Sequence, residues 1–139
     1  MTGREVETVE VPIRARVLLV DDDALVRASI KRMLTRSFDV DECADGADAV
    51  ARVEAGERFD LVLMDLMMPR MNGRLALERI GEIAPELAAR TVIMSGGSSD
   101  EALHAWLTGL GVGRLLLKPF SSEMLHETLH ARLAMRTNV

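Results

Sequence analysis

The feature that most constrains this chain is a set of short, unbroken apolar runs. Val17-Leu18-Leu19-Val20, Leu61-Val62-Leu63-Met64, Val92-Ile93-Met94 and Leu115-Leu116-Leu117 show no polar alternation. A run this short reads as a strand buried on both faces, because a half-solvated strand would alternate apolar and polar residues. Each of the first three runs leads into a stretch where apolar residues recur at helical spacing, and so does the last. Strand–helix alternation with continuous apolar strands predicts a parallel sheet covered by helices on both sides.

Taken in order, the first strand starts at Arg16 and runs into Asp21, Asp22 and Asp23. Val26, Ile30, Met33 and Leu34 then mark a helix that Asp22 or Asp23 caps. Phe38 to Cys43 is a weaker second strand, followed by a turn at Asp45-Gly46 and a helix over Ala47, Val50 and Val53 that ends near Gly56. The third strand spans Phe59 to Met64. Pro69 and Asn72-Gly73 make a loop and turn, and Leu77, Ile80 and Ile83 form a third helix stopped before Pro85. Thr91 to Met94 is the fourth strand, with Ser98 or Ser99 capping a helix that carries Leu103, Trp106 and Leu107. After Leu115 to Leu117, Ser121 or Ser122 caps a last helix with Leu125, Leu129 and Leu133 on one stripe. Five strands and five helices joined by right-handed crossovers leave few topologies. The reading is a flavodoxin-like, doubly wound α/β fold of strand order 2-1-3-4-5, with its switch point beside the first and third strands.

Composition narrows the function. At 139 residues the chain is one domain, and 48% apolar with 3% aromatic residues means a core of Leu, Val, Ile, Ala and Met. A net charge of −5 argues against a nucleic-acid surface. Cys43 is the only cysteine, which excludes an internal disulfide and suits a reducing cytoplasm. There is no secretory signal pattern and no apolar run long enough to span a bilayer, so neither export nor membrane insertion is expected. Residues 1–14 are polar and read as a flexible lead-in, with the folded domain over 15–139.

The chemistry lies where the strands end. The first ends on Asp21-Asp22, the third on Asp65, the fourth on Ser95 and the fifth on Lys118. In the proposed strand order these ends converge on one pocket. Asp65 alone reads equally well as a cap or a site residue; the company of the others decides for the site. Close carboxylates repel unless a cation joins them, and an all-oxygen set suits Mg²⁺ or Mn²⁺. With Lys118 and Ser95, the set has the parts for phosphoryl transfer: cation, ammonium and hydroxyl meet the phosphoryl oxygens while a carboxylate, Asp65, attacks in line.

The sequence here resembles the receiver domain of bacterial response regulators, chemotaxis receivers among them, over roughly Arg16 to Leu133. The matching stretches are Val-Leu-Leu-Val-Asp21-Asp22, Leu-Met-Asp65-Leu-Met-Met-Pro69-Arg-Met-Asn-Gly73, Val-Ile-Met-Ser95-Gly96 and Leu-Leu-Leu-Lys118-Pro119-Phe120. The resemblance implies that Asp65 takes a phosphoryl group from a sensor histidine kinase or a histidine phosphotransfer protein. It implies that Asp22, Asp65 and the backbone carbonyl of Met67 bind Mg²⁺, with Asp21 acting through water. Lys118 would contact the phosphoryl oxygens, before a cis bond to Pro119. The backbone N–H groups of Met67 and Gly96 would complete the cradle, and Ser95 would move to report activation. Output would pass to a partner protein through the face of the fourth helix, fifth strand and fifth helix. No effector domain is expected after Leu133.

Two departures stand out. The family's aromatic three residues before the lysine is replaced by Leu115, which puts the usual output coupling in doubt. Met67 and Gly97 offer no polar side chain to orient an attacking water, so self-dephosphorylation is expected to be unassisted. A phosphorelay shuttle, a receiver excised from a larger protein and a phosphorylation-independent docking scaffold remain the alternatives. A rival signal is His126-Glu127-Thr128-Leu129-His130, an H-E-x-x-H pattern that would make a zinc peptidase. It lacks a downstream His, Asp or Glu as third ligand, and a solvated helix face is the preferred reading. Cys43 reads as a small buried hydrophobe, and Trp106 as a packing residue or part of a partner face.

Overall fold

The computed structural model describes residues 14–96, 100–111 and 113–135. Five parallel strands form one sheet in the order β2-β1-β3-β4-β5. They are β1 (Arg16–Val20), β2 (Asp39–Cys43), β3 (Leu61–Asp65), β4 (Thr91–Ser95) and β5 (Leu115–Leu117). The helices are α1 (Ala24–Leu34), α2 (Gly46–Glu54), α3 (Gly73–Ile83), α4 (Pro85–Ala89), α5 (Glu101–Gly109) and α6 (Ser122–Ala134).

The sheet order and the doubly wound class are as expected, but there are six helices rather than five. The extra one is α4. Pro85 does end α3, as a ring without an N–H must, but the same ring sits at the first turn of a second, five-residue helix. The face anticipated for output is therefore α5–β5–α6.

Local chemistry sets the helix starts. Asp23, Asp45, Asn72, Asp100 and Ser121 each place a side-chain oxygen on backbone N–H groups of the following turn. Asp45-Gly46 and Asn72-Gly73 are thus caps with the first helical residue, not turns. Asp100 caps α5; Ser98 and Ser99 lie outside the described residues.

Every residue of β3 and β4 is buried, and side chains alternate between two cores. Leu18, Val20, Val62, Met64 and Ile93 pack under α2 and α3 with Ala49, Val50, Ala76 and Ile80. Val17, Leu19, Leu61, Leu63, Val92 and Met94 pack under α1 and α6 with Ile30, Leu34, Leu125 and Leu129. Each fully buried aliphatic side chain contributes about 1.5–3 kcal/mol. The outer strands differ: β2 reads Asp-Val-Asp-Glu-Cys, and Leu117 of β5 is 60% exposed. No helix among the described residues is long and apolar enough to cross a membrane.

Candidate functional site

Strand register brings the sequence-predicted residues together. Val20 of β1 pairs with Met64 of β3, and Asp65 with Met94 of β4, so Asp21, Asp65 and Ser95 follow one another across the carboxyl edge of the sheet. Asp21, Asp22 and Asp65 each offer a carboxylate oxygen within 4.8 Å of the others. Asp21 and Asp65 are buried, while Asp22 is exposed at the rim. Lys118 Nζ lies 3.1 Å from Asp65 Oδ1 and 3.4 Å from Asp21 Oδ2. Ser95 is buried at the end of β4, and its carbonyl accepts from the Lys118 N–H at 2.8 Å, which ties the lysine's strand to the site. The Lys118–Pro119 peptide bond is cis.

The electrostatics are unbalanced. Burial pushes the Asp65 carboxyl above the usual carboxylate range; Lys118 pulls it back, and Asp21 and Asp22 push it further up. Burial by itself would depress the Lys118 ammonium, but the bonds and charges of Asp65 and Asp21 outweigh it, and the net shift is upward. Three carboxylates therefore share one ammonium in a half-enclosed pocket. Hard oxygen donors this close, with Asp22 open to solvent, fit a small divalent cation such as Mg²⁺.

The loop from β3 to α3 is shaped by its backbone. Gly73 N donates to Leu66 O at 2.7 Å, and a Cβ at Gly73 would stand 2.6 Å from Asp65 O. Only glycine lets α3 begin against the end of β3. Met71 N donates to Pro69 O at 2.7 Å around Arg70, whose φ is +68°. This is a γ-turn in the left-handed region, a strained conformation for a residue with a side chain. Arg70 is held by an ion pair to Asp45, the buried cap of α2. Met67, two residues past Asp65, turns its side chain to solvent, and Gly96 is exposed just beyond β4. Gly97 lies outside the described residues.

Sequence reasoning missed two supports of this site. Arg27, which no sequence motif singles out, donates from Nη1 to Asp21 O at 2.7 Å and from Nε to Glu42 Oε1 at 3.1 Å. The Arg70–Asp45 pair joins residues 25 apart in sequence through a folded-back loop. Neither has a local sequence signal. The anticipated aromatic position, Leu115, is half-buried and packs against the core under α2 and α3. Trp106 packs there too, with the Arg74 guanidinium 5.7 Å from its ring. His126 and His130 are not simply solvated: both rings lie against Phe38.

A doubly wound parallel sheet with an acidic cluster and a lysine at its switch point is the arrangement of an α/β domain that meets its ligands at the carboxyl edge of the sheet. The family profile of the response regulator receiver domain matches residues 17–130. The chain belongs to the response regulator receiver family of two-component signalling. It is 36% identical to the chemotaxis protein CheY of Treponema pallidum over 117 residues, covering 82% of this chain and 79% of that protein. The CheY of Bacillus subtilis is 32% identical over 85% of this chain and 97% of its own length. Among solved structures, a CheY-like receiver domain from Methanospirillum hungatei superposes with a TM-score of 0.76 at 25% identity, covering 87% of this chain and 94% of that one. Other relatives are longer. The chain spans 55% of the nitrate/nitrite response regulator NarL of Escherichia coli and 16% of the transcription factor SKN7 of Chaetomium thermophilum.

Proposed function

We propose that this chain is a phosphorylation switch whose acceptor is Asp65. The observation that carries the reading is the juxtaposition of Asp65 Oδ1 with Lys118 Nζ at 3.1 Å inside a cluster of three carboxylates. A carboxylate oxygen of Asp65 attacks the phosphorus of a donor phosphohistidine. The O–P bond forms as the P–N bond breaks, and the electron pair leaves with the imidazole. Lys118 and the Ser95 hydroxyl meet the negative charge on the phosphoryl oxygens, and the backbone N–H groups of Met67 and Gly96 complete the cradle. Asp22, Asp65 and the Met67 carbonyl would hold Mg²⁺, with Asp21 acting through water; when bound, the ion would supply charge neutralisation at the phosphoryl group. Arg27 fixes the Asp21 backbone from behind.

The donor is a sensor histidine kinase or a histidine phosphotransfer protein, and the target is a protein that docks on α5–β5–α6. The exposed Leu117 on β5 supports that face. With Leu115 in place of the usual aromatic, the output signal travels through the Ser95 end of β4 rather than through burial of a ring. Neither Met67 nor Gly97 carries a polar side chain to orient water, so the acyl phosphate is long-lived.

The test is intact-mass spectrometry after incubation with acetyl phosphate, with Mg²⁺, with EDTA and on Asp65→Asn. One phosphoryl adduct that needs metal and disappears in Asp65→Asn is the expected result. Absence of an adduct under saturating Mg²⁺, from both acetyl phosphate and a phosphorylated histidine donor, overturns the reading in favour of a phosphorylation-independent scaffold. A lifetime that lengthens on Met67→Asn contradicts the account of slow hydrolysis.

A further inference from the structure

The two histidines of α6 remain outside the switch chemistry, and their arrangement has its own logic. They stand one turn apart on a helix whose Leu125 and Leu129 are buried. Positions four apart lie side by side on a helix surface. The two rings are stacked, 6.1 Å between centroids with 26° between planes. Each also lies against the ring of Phe38, at 6.3 Å for His126 and 5.1 Å for His130. Phe38 is itself buried, so it forms a fixed floor that confines both imidazoles to one side of the helix. Part of the entropy a chelate would cost is already spent in folding.

The His126 ring is also held by its own helix. Its Nδ1 lies 2.8 Å from the backbone carbonyl oxygen of Ser122 and 3.4 Å from the Ser122 hydroxyl. A carbonyl oxygen only accepts, so the shorter contact is a hydrogen bond in the tautomer with the proton on Nδ1, which leaves the lone pair of the neutral ring on Nε2. A ring N–H given to a backbone carbonyl is the usual outer partner of a metal-binding histidine, because it fixes the ring and raises the basicity of the other nitrogen. Glu123 and Glu127 are exposed and stand three residues before His126 and His130 respectively, which adds negative charge beside the pair.

We infer that His126 and His130 form a two-point binding site for a late divalent transition-metal ion such as Cu²⁺ or Zn²⁺. Metal–nitrogen bonds of about 2.0–2.1 Å place two ligating ring centroids roughly 5 Å apart. The pair must therefore close by about 1 Å, within reach of a rotation of the exposed His130 ring. Imidazole nitrogen selects these ions, whereas the carboxylates at the end of the sheet select Mg²⁺, so the two sites sort their metals by ligand type. Among the described residues the only group of three or more His, Cys, Asp or Glu suited to one ion is Asp21, Asp22 and Asp65. The histidine site thus has two protein nitrogens, with water completing the coordination. It is a binding site on the α6 surface and not a hydrolytic centre.

The experiment is a titration of the full chain with CuCl₂ by calorimetry and electron paramagnetic resonance, with Mg²⁺ in excess to fill the acidic pocket. We expect one Cu²⁺ per chain, bound in the micromolar range, with hyperfine splitting from two nitrogens. His126→Gln and His130→Gln keep a planar side chain over Phe38 and weaken binding at least tenfold each; the double variant removes the two-nitrogen signal. Asp65→Asn leaves binding unchanged. Two-nitrogen binding that survives the double variant, or Cu²⁺ binding lost in Asp65→Asn, overturns the assignment. Circular dichroism of each variant confirms that α6 is intact.

Discussion

Around the amino ends of β1 and β2, arginines meet acids. Arg14 meets Asp39, Arg16 meets Asp41 and Glu57, and Arg52 meets Glu57. The Arg16 and Arg52 guanidiniums also lie over the ring of Phe59, at 4.7 and 5.4 Å from its centroid. At the carboxyl edge of the same sheet Asp21, Asp22 and Asp65 crowd together with one lysine. The first region spends its charge on structure. The second leaves negative charge uncompensated, which costs stability and creates affinity for a cation and a reactive carboxylate. The sheet therefore carries a satisfied end at β1 and β2 and a frustrated end at its carboxyl edge, and the frustrated end is where ligands meet such folds.

The largest effect should come from filling the contact that lets α3 start against β3. Gly73→Ala puts a methyl group 2.6 Å from the Asp65 carbonyl oxygen, and we expect a loss of about 3 kcal/mol or more in urea unfolding, with phosphoryl uptake abolished. Wild-type stability in this variant would mean that the loop yields easily and the frustrated end is not rigid.

Relieving the acid crowding should act in the opposite direction. Asp65→Asn, assayed without metal, should raise stability by about 1 kcal/mol while ending phosphoryl uptake. At the satisfied end, Arg16→Ala should lower stability by about 1 kcal/mol, since it loses packing on Phe59 as well as part-exposed ion pairs, and should leave phosphoryl uptake alone. If both substitutions destabilised equally, the contrast between the two ends would collapse.

The smallest effect is in pH. The Asp65 pKa is raised in the folded chain, so the folded state keeps this proton to higher pH than the unfolded state, whose value lies near 3.8. Stability from this group is greatest below 3.8 and falls as pH rises towards the raised folded value. In EDTA, the Tm of wild type relative to Asp65→Asn should therefore decline between acid and neutral pH. Mg²⁺ should flatten the decline by binding the ionised form. A flat difference in EDTA would show that burial of Asp65 carries no penalty.

Much of this was legible in the residues. Three central strands are unmistakable because burial on both faces demands unbroken apolar runs, and the site follows from what terminates them. Asp23 and Ser121 are readable caps because their oxygens serve N–H groups two or three residues on. What escaped depends on tertiary contact or on position. Pro85 reads as a stop and is also a start. Asp45 looks like a turn residue until its helix and its Arg70 partner are in place. Arg27 passes unnoticed and the histidines of α6 look solvated because nothing local tells that a buried carbonyl or a buried ring lies beside them.

The outer strands have a consequence for behaviour at high concentration. A sheet border with free N–H and C=O groups invites another chain to add a strand, the first step towards polymerisation. Here β2 carries Asp39, Asp41 and Glu42 with their basic partners along its length, so an added strand would have to dock against charged side chains. The opposite border, β5, is three residues long and gives way within two residues to Pro119, which has no N–H to offer. Both borders resist templated growth, one by its charged side chains and the other by brevity, which protects from aggregation a fold whose functional end is built to be under strain.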